Sequence, residues 1–180
     1  MKPLKDLTID EFFNELGSKD GAYTGGAGIG LVSMLSAAIT QFIFELQLGK
    51  KKYLEQQEEI EQLVNCSISL REDFLKLTVE DSEVFDQVLV AFKMPKDTEE
   101  EQKERRFAID SGFIESSRPL LALEAKLLEL LQLYEAMVDL KVSGSLLSDA
   151  LMTLQFIRAV AVGAQRMIEN NLAAVKESEH

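Results

Sequence analysis

Apolar residues recur every three or four positions through almost all of this 180-residue chain. This spacing places apolar side chains on one face of an α-helix, whereas no stretch alternates apolar and polar residues long enough to indicate a β-strand. The pattern therefore predicts an all-α fold, a bundle of long antiparallel helices. Because the length is that of one ordinary domain, residues 1–180 are expected to form a single helical domain.

Polar residues, glycines and prolines mark where the predicted helices begin and end. Thr8 with Glu11, and Thr98 with Glu101, have the spacing of a capping box, in which a hydroxyl and a carboxylate bind the free backbone N–H groups of a helix start. These signals predict a helix over 8–16 and a second that starts within or just after the glycine-rich segment 17–30 and ends at Gly49. A third follows Tyr53 and runs to about Phe92, and a fourth runs from Thr98 to about Ser117, where Pro119 either kinks it or lies in the first turn of a continuation through Leu140. A last helix runs from a Ser145 cap to about Val175.

One face of the third predicted helix carries a carboxylate among apolar residues. Alternating steps of three and four residues give this stripe the members Ile60, Leu63, Ser67, Leu70, Phe74, Leu77, Asp81, Val84, Val88 and Ala91. Burying an ionised carboxylate is costly unless a cation pairs with it, so its presence on a buried stripe indicates either an ion pair or a function. Asp81 is therefore a candidate for chemistry, and an interhelical salt bridge is the structural alternative.

The last predicted helix is apolar almost all round between Leu146 and Ala164, which predicts burial on most of its sides. Ser148 and Asp149 are among its few polar residues. Asp149 is a second candidate for chemistry. The alternative is an acid in the first turn of the helix, where the helix dipole favours negative charge.

The most apolar segment, Leu31 to Leu48, is long enough to cross a bilayer, but polar side chains interrupt it. We interpret it as a buried helix and expect no membrane partner. The first residues carry acids and lack the uninterrupted apolar stretch of a secretory signal. A cytoplasmic protein with a reduced Cys66 is the expectation.

Composition excludes several classes of function. Nineteen Lys and Arg against 31 Asp and Glu give a net charge of −12, which disfavours nucleic acid as a partner. Cys66 and His180 are the single cysteine and histidine, too few for a catalytic zinc site with about three protein ligands or for a well-placed imidazole base. Acid–base chemistry therefore falls to carboxylates or lysines.

Two further segments could hold an anion. Residues 24–30 read Thr-Gly-Gly-Ala-Gly-Ile-Gly and lead into a helix whose first N–H groups are free, although neither the dinucleotide nor the Walker pattern fits them. Lys50 to Lys52 is the densest positive run in the chain. It is either a solvated helix junction or an anchor for a carboxylate, and as an anchor it is expected to stand beside the glycine loop.

The order of these motifs is similar to that of a known family. A Gly-Gly loop opens a helix of small residues, and Leu-Gly-Lys-Lys-Lys-Tyr (48–53), Met-Pro-Lys-Asp-Thr-Glu-Glu-Glu (94–101) and Ser-Asp (148–149) follow. In this order and over most of the chain, they resemble the formiminotransferase-cyclodeaminase and methenyltetrahydrofolate cyclohydrolase family.

The resemblance implies an all-α domain that dimerises by packing long helices and acts on a tetrahydrofolate substrate with no metal or other cofactor. The implied activity is formiminotetrahydrofolate cyclodeaminase or methenyltetrahydrofolate cyclohydrolase, with carboxylates moving the protons. The implied site residues are, for acid–base work, Asp81 and Asp149, and for substrate binding Gly25, Gly26, Lys50, Lys51 and Ser148, with the two lysines on the glutamate tail.

Several positions depart from the family pattern. The family's Pro-Gly-Gly-Gly-Ser is Thr-Gly-Gly-Ala-Gly at residues 24–28, and its Gly-Asn-x-Asn is Val-Ser-Gly-Ser at residues 142–145. Met167 stands where the family has an asparagine, whereas Asn171 matches the family. Two alternatives follow from these losses. One is a catalytically altered family member that keeps the fold, with or without folate binding, and the other is a non-enzymatic helical interaction protein.

Overall fold

The computed structural model describes residues 2–21 and 23–175, so that His180 lies outside the described residues. The described chain is all-α, as the periodicity predicts, with no strand. Its helices are α1 (Ile9–Gly17), α2 (Gly25–Glu45), α3 (Gln57–Phe92), α4 (Glu99–Asp139) and α5 (Ser145–Ala174), with 3₁₀ turns at Leu4–Asp6 and Lys51–Gln56.

Both predicted capping boxes are confirmed. The Glu11 N–H donates to Thr8 Oγ1 at 3.2 Å, and the Thr8 N–H donates to the Glu11 carboxylate at 2.6 Å. Thr98 and Glu101 repeat this pair of bonds at 3.2 and 3.0 Å. These reciprocal bonds fix where α1 and α4 begin.

Two predicted boundaries were wrong in detail. The cap of α5 is Gly144, not Ser145, because the chain turns there with φ of 70°, a conformation that glycine adopts without strain. A 3₁₀ turn with a non-helical Tyr53 separates the end of α2 from α3. Pro119 lies inside a continuous α4 and does not begin a separate helix.

Helices α2 to α5 form an up-down-up-down bundle in which each helix runs antiparallel to its neighbours. Gly26 and Gly30 of α2 face Asp81 and Thr78 of α3. The other antiparallel pairs of helices meet at Gly112 with Val88, at Ser116 with Asn171, and at Gly163 with Ile29. The sequential neighbours therefore close a ring around one core.

A group of buried hydroxyls lies between α2, α4 and α5. Thr40 Oγ1 lies 3.2 Å from the Tyr134 hydroxyl, and the Thr153 hydroxyl also lies close to it, so that the single Tyr134 proton is donated to one of the two. Both threonines in addition donate to a carbonyl one turn back in their own helices, those of Ser36 and Asp149. Every buried hydroxyl of this group therefore has a partner.

The N-terminal arm (residues 2–21) lies outside the bundle, against α2 and α3. Phe12 packs on Tyr23 with ring centroids 5.6 Å apart, and Ala27 completes this buried cluster. The cluster is separate from the main core. The arm is thus attached by a small apolar contact.

Helix α5 is more exposed than its composition predicts. Apolar side chains that are about half exposed lie along its outer face: Leu147, Leu151, Met152 and Val162. The expected burial on most sides is wrong for the single chain, because α2 and α4 cover only one face of α5. By length and composition alone α2 and α5 could each cross a membrane, a test that core helices of soluble proteins also pass.

The close packing of α2 on α3 predicts the outcome of a glycine substitution. A Cβ at Gly30 would lie 1.8 Å from Thr78 Oγ1, so Gly30→Ala should push the helices apart and lower the free energy of unfolding by about 1–3 kcal/mol. At Gly28 the nearest atom would be 3.9 Å away, so Gly28→Ala should be neutral or stabilising by up to about 1 kcal/mol. Urea unfolding of both variants checks this, and equal midpoints would contradict it.

Candidate functional site

Asp81 lies inside the bundle at the start of α2. Its side chain is 6% exposed, and its Oδ2 occupies the space where a Cβ of residue 26 would be, only 1.9 Å from that position. Gly26 is therefore the residue that makes room for the carboxylate. The heptad-like stripe predicted that Asp81 faces inward, and this is confirmed.

The Asp81 carboxylate has no ion-pair partner among the described residues. Within residues 2–21 and 23–175, no lysine or arginine nitrogen lies within 4.0 Å of it, and no donor hydrogen-bonds to it. The interhelical salt bridge considered from the sequence is therefore wrong for the described chain. Burial raises the pKa of Asp81 from 3.8 to about 6, because desolvation penalises the charged form. A carboxyl with this pKa can both accept and donate a proton near neutral pH.

The backbone around Asp81 offers free donors. Ala27 and Gly28 donate their N–H groups to the Thr24 carbonyl, whereas the N–H groups of Gly25 and Gly26 have no acceptor in the described chain. Free N–H groups at a helix start favour an anion or a polarised oxygen. Ala27, which replaces a family glycine, packs with Phe12 and not against Asp81. This replacement leaves the contact between Gly26 and Asp81 in place.

Further polar side chains lie at this end of the bundle, which we call the glycine end. Asn171 of α5 donates to Ser116 Oγ at 3.2 Å, and the buried Thr78 Oγ1 donates to the Phe74 carbonyl at 2.6 Å. The apolar stripe did not single out Thr78 or Ser116. The signal that could have found Thr78 is its position about one helical turn from Asp81, since Gly30 likewise lies about one turn from Gly26 on the antiparallel α2.

The predicted lysine anchor lies at the opposite end of the bundle, which we call the lysine end. Helix α2 has 21 residues, which at 1.5 Å per residue separates Gly25 from Lys50 by about 30 Å. The expectation that Lys50 to Lys52 stand beside the glycine loop is therefore wrong within one chain. Lys50 and Lys51 are exposed, and Lys52 Nζ donates to the Lys141 carbonyl and the Tyr53 hydroxyl.

Ser148 and Asp149 also lie at the lysine end. Thr153, one turn beyond Asp149, shares the Tyr134 hydroxyl with Thr40, which places Asp149 level with the end of α2. Asp81 and Asp149 are thus about 20 Å or more apart along the bundle. Asp149 is the fifth residue of α5, so the explanation as a first-turn acid is wrong.

No three His, Cys, Asp or Glu side chains of the described chain are grouped so that they could hold a metal ion. The groups at the glycine end are one carboxyl of raised pKa, two free N–H groups and the amide and hydroxyls nearby. This set is suited to moving a proton and holding a polar organic ligand.

Comparison with known proteins agrees with this arrangement. The sequence profile of the formiminotransferase-cyclodeaminase family matches residues 8–180. The chain belongs to this family. As a family member it is 29% identical over 143 residues to a methenyltetrahydrofolate cyclohydrolase of Methylorubrum extorquens, a match that covers 79% of this chain and 68% of the relative.

Two other comparisons concern longer proteins and the fold. The chain is 27% identical over 172 residues to a formimidoyltransferase-cyclodeaminase of Rattus norvegicus, covering 94% of this chain and 31% of that protein, so it spans about a third of that relative. The crystal structure of a formiminotetrahydrofolate cyclodeaminase of Thermotoga maritima covers 96% of this chain and 82% of its own, with a TM-score of 0.70 and 21% identity. At this identity the likeness shows the fold.

The raised pKa of Asp81 predicts how stability depends on pH. Since the pKa is about 6 in the folded chain and 3.8 ordinarily, the unfolded chain loses the proton first, and the wild type loses stability as the pH rises from about 4 to about 6. Asp81→Asn cannot ionise. Relative to wild type, its free energy of unfolding should therefore rise across this window, by on the order of 2 kcal/mol.

Urea unfolding at a series of pH values measures this difference. Asp86→Asn, which changes an exposed acid on the same helix, is the matched control. A constant difference between Asp81→Asn and wild type from pH 4 to pH 7 would contradict the pKa of about 6.

Proposed function

We propose that this chain is a folate one-carbon enzyme of the methenyltetrahydrofolate cyclohydrolase type, with Asp81 as its acid–base group. The observation that carries the proposal is the buried, unpaired carboxyl of Asp81 against Gly26, beside the free N–H groups at the start of α2. The family supports the substrate class, and the Methylorubrum extorquens relative, of which the chain covers 68%, supports water addition.

The proposed reaction uses Asp81 twice. The methenyl carbon lies between two nitrogens and shares their positive charge, so that it is open to attack by water. The ionised Asp81 takes a proton from water as its oxygen bonds to this carbon. The protonated carboxyl then gives that proton to one nitrogen as its bond to the carbon breaks, and the hydroxyl proton is released as the formyl group forms. A negative Asp81 also stabilises the cationic substrate.

Formiminotetrahydrofolate cyclodeaminase is the second candidate. The solved Thermotoga maritima structure that shares this fold carries that name. In this reaction the protonated Asp81 would give a proton to the departing ammonia while the second folate nitrogen closes the methenyl bridge. Both reactions place a carboxyl of pKa near neutral beside the same carbon, so one site could serve either.

We further propose that the enzyme is a homodimer that packs through α2 and α5. Leu35, Phe42 and Leu46 form an exposed apolar face on α2, which has no charged residue before Glu45. The exposed apolar face of α5 lies on the neighbouring helix. A second copy of the chain would bury both faces, which favours association through the hydrophobic effect.

A dimer of this kind would also bring the two ends of the bundle together. Residues 26 and 50 are each twelve positions from residue 38. If a two-fold axis crosses α2 near Ala38, the start of α2 in one subunit lies level with Lys50 and Lys51 of the other. Asp149 and Ser148 would approach Asp81 in the same way. The lysines would then hold the anionic glutamate tail of a folate bound at Asp81.

The cytoplasmic location and the absence of any cofactor besides the folate substrate stay predictions. If purified protein leaves the hydrolysis rate of methenyltetrahydrofolate at its uncatalysed value, the chain is either a family member with an altered catalytic site or a protein with a purely structural role. Formiminotetrahydrofolate, followed by ammonia release, tests the second candidate in parallel.

The proposed role of Asp81 predicts a specific loss of activity. Asp81→Asn should fold and should lose roughly 100-fold or more of the methenyltetrahydrofolate cyclohydrolase rate, because it can neither take nor give the proton. Wild-type activity should rise with pH through about 6 as Asp81 ionises. The near-ultraviolet band of the substrate reports both.

Two glycines provide the matched controls for this prediction. Gly26→Ala should also reduce the rate, since its Cβ would displace the Asp81 carboxylate, whereas Gly25→Ala meets no atom within 4 Å and should stay active. Full activity in Asp81→Asn, or equal loss in both glycine variants, would remove Asp81 from the mechanism.

Sedimentation tests the proposed dimer. The wild type should sediment as a dimer at micromolar concentration, and Phe42→Glu should give monomers, while Leu121→Glu on α4 should not.

Subunit mixing tests the shared site. Inactive Asp81→Asn mixed with the weak-binding Lys50→Ala, Lys51→Ala double variant should form hybrids with one complete site. Their activity at low substrate should then exceed the average of the two parents. Lys93→Ala with Lys96→Ala is the control for lost charge, and an average activity would place the anchor elsewhere.

A further inference from the structure

A second cavity lies under the N-terminal arm, away from Asp81. It is half open, has a volume of about 310 Å³ and is lined mainly by apolar side chains: Leu4, Leu7, Phe12, Leu31, Met34 and Leu75. The arm supplies one wall, and α2 and α3 supply the other. This volume is at the lower end of the range of roughly 300–1,000 Å³ typical of small-molecule sites.

The cavity is separate from the proposed catalytic site. Asp81 faces Gly26, whereas the neighbouring Ala27 packs into the buried cluster with Phe12 and Tyr23. Leu31, one turn further along α2, is the first residue of that helix to line the cavity. The aromatic cluster therefore stands between the two places, and a ligand in the cavity would not touch Asp81.

Two cations at the rim of the cavity lack an acidic partner. Lys5 and Arg71 both line it, and no carboxylate oxygen of the described chain lies within 4.0 Å of either. Arg71 Nη1 makes a single side-chain hydrogen bond, to Gln41 Oε1 at 3.1 Å. Glu72 also reaches the rim but is exposed and pairs with neither. In a chain of net charge −12, these two cations give the rim of an apolar cavity a local positive charge that can meet an anion.

We propose that this cavity is a binding site for an amphipathic carboxylate, whose apolar body enters the cavity and whose anionic group lies between Lys5 and Arg71. The apolar lining provides the affinity, because it removes apolar surface of the ligand from water. The guanidinium of Arg71 provides the orientation, because its planar set of donors matches a carboxylate. The site is independent of the proposed folate chemistry, and its test needs no enzyme activity.

The test compares two fluorescent probes that share an aromatic body. 1-Anilinonaphthalene-8-sulfonate is anionic, and N-phenyl-1-naphthylamine is neutral. The wild type should bind both saturably, and decanoate should displace both. Lys5→Gln with Arg71→Gln should weaken the anionic probe about tenfold and leave the neutral one unchanged, and added salt should weaken only the anionic probe. Lys76→Gln with Arg118→Gln removes two charges elsewhere and should change neither.

A second variant tests the apolar wall. Leu75→Gln should weaken both probes, and its circular dichroism and unfolding midpoint show whether it is folded. If it fails to fold, Met34→Gln on α2, in the same wall of the cavity, takes its place. The proposal is overturned if decanoate displaces neither probe, or if the double rim variant binds the anionic probe as the wild type does. Binding that survives every variant would place the probes on the exposed faces of α2 and α5.

Discussion

The close approach of α2 to α3 is the contact on which the rest of the molecule depends. It exists because positions 26 and 30 carry no side chain, so that Asp81 Oδ2 and Thr78 Oγ1 fill the space that a Cβ would occupy. Any larger residue at either position would separate the helices or displace the polar group behind it. The close packing of the two helices places the start of α2 beside the carboxyl.

Keeping Asp81 in this position opposes folding. The carboxyl is desolvated without a compensating partner, which is why its pKa is raised to about 6. Such a group persists only where the surrounding packing stabilises the fold more than the group destabilises it. Here the long apolar interfaces of α3 with α2 and α4 supply that stabilisation. A destabilising polar group inside an otherwise consistent bundle is the pattern expected of a functional position.

Features that depend on local spacing could be predicted from the sequence, and features that depend on how distant segments align could not. The stripe placed Asp81 inward, and the capping boxes of Thr8 and Thr98 began their helices as expected. The pairing of Thr78 with Gly30 requires the register between two helices, which no single helix pattern contains. The predicted position of Lys50 beside the glycine loop was wrong. The two motifs follow each other along the sequence, but α2, which is about 30 Å long, separates them in space.

The exposure of α5 has a different cause. A helix that is apolar all round predicts burial, but the pattern cannot say whether its own chain or another covers each face. Likewise, no periodicity marks Gly144 as the cap, because that choice follows from a backbone turn with positive φ.

The Tyr134 hydroxyl limits how far the helices can slide along one another. It lies between Thr40 and Thr153 in the core, where it reaches these hydroxyls in only one alignment of α2, α4 and α5. A slip of a single helical turn, about 5.4 Å, would leave the Tyr134 hydroxyl without a partner, although both threonines would keep the carbonyl bonds within their own helices. This loss would cost more than an apolar contact that can reform one turn away. Apolar helix interfaces without such hydroxyl contacts tolerate sliding of one helix along another. The Tyr134 hydroxyl thus fixes the alignment of these helices, and with it the separation between the two ends of the bundle.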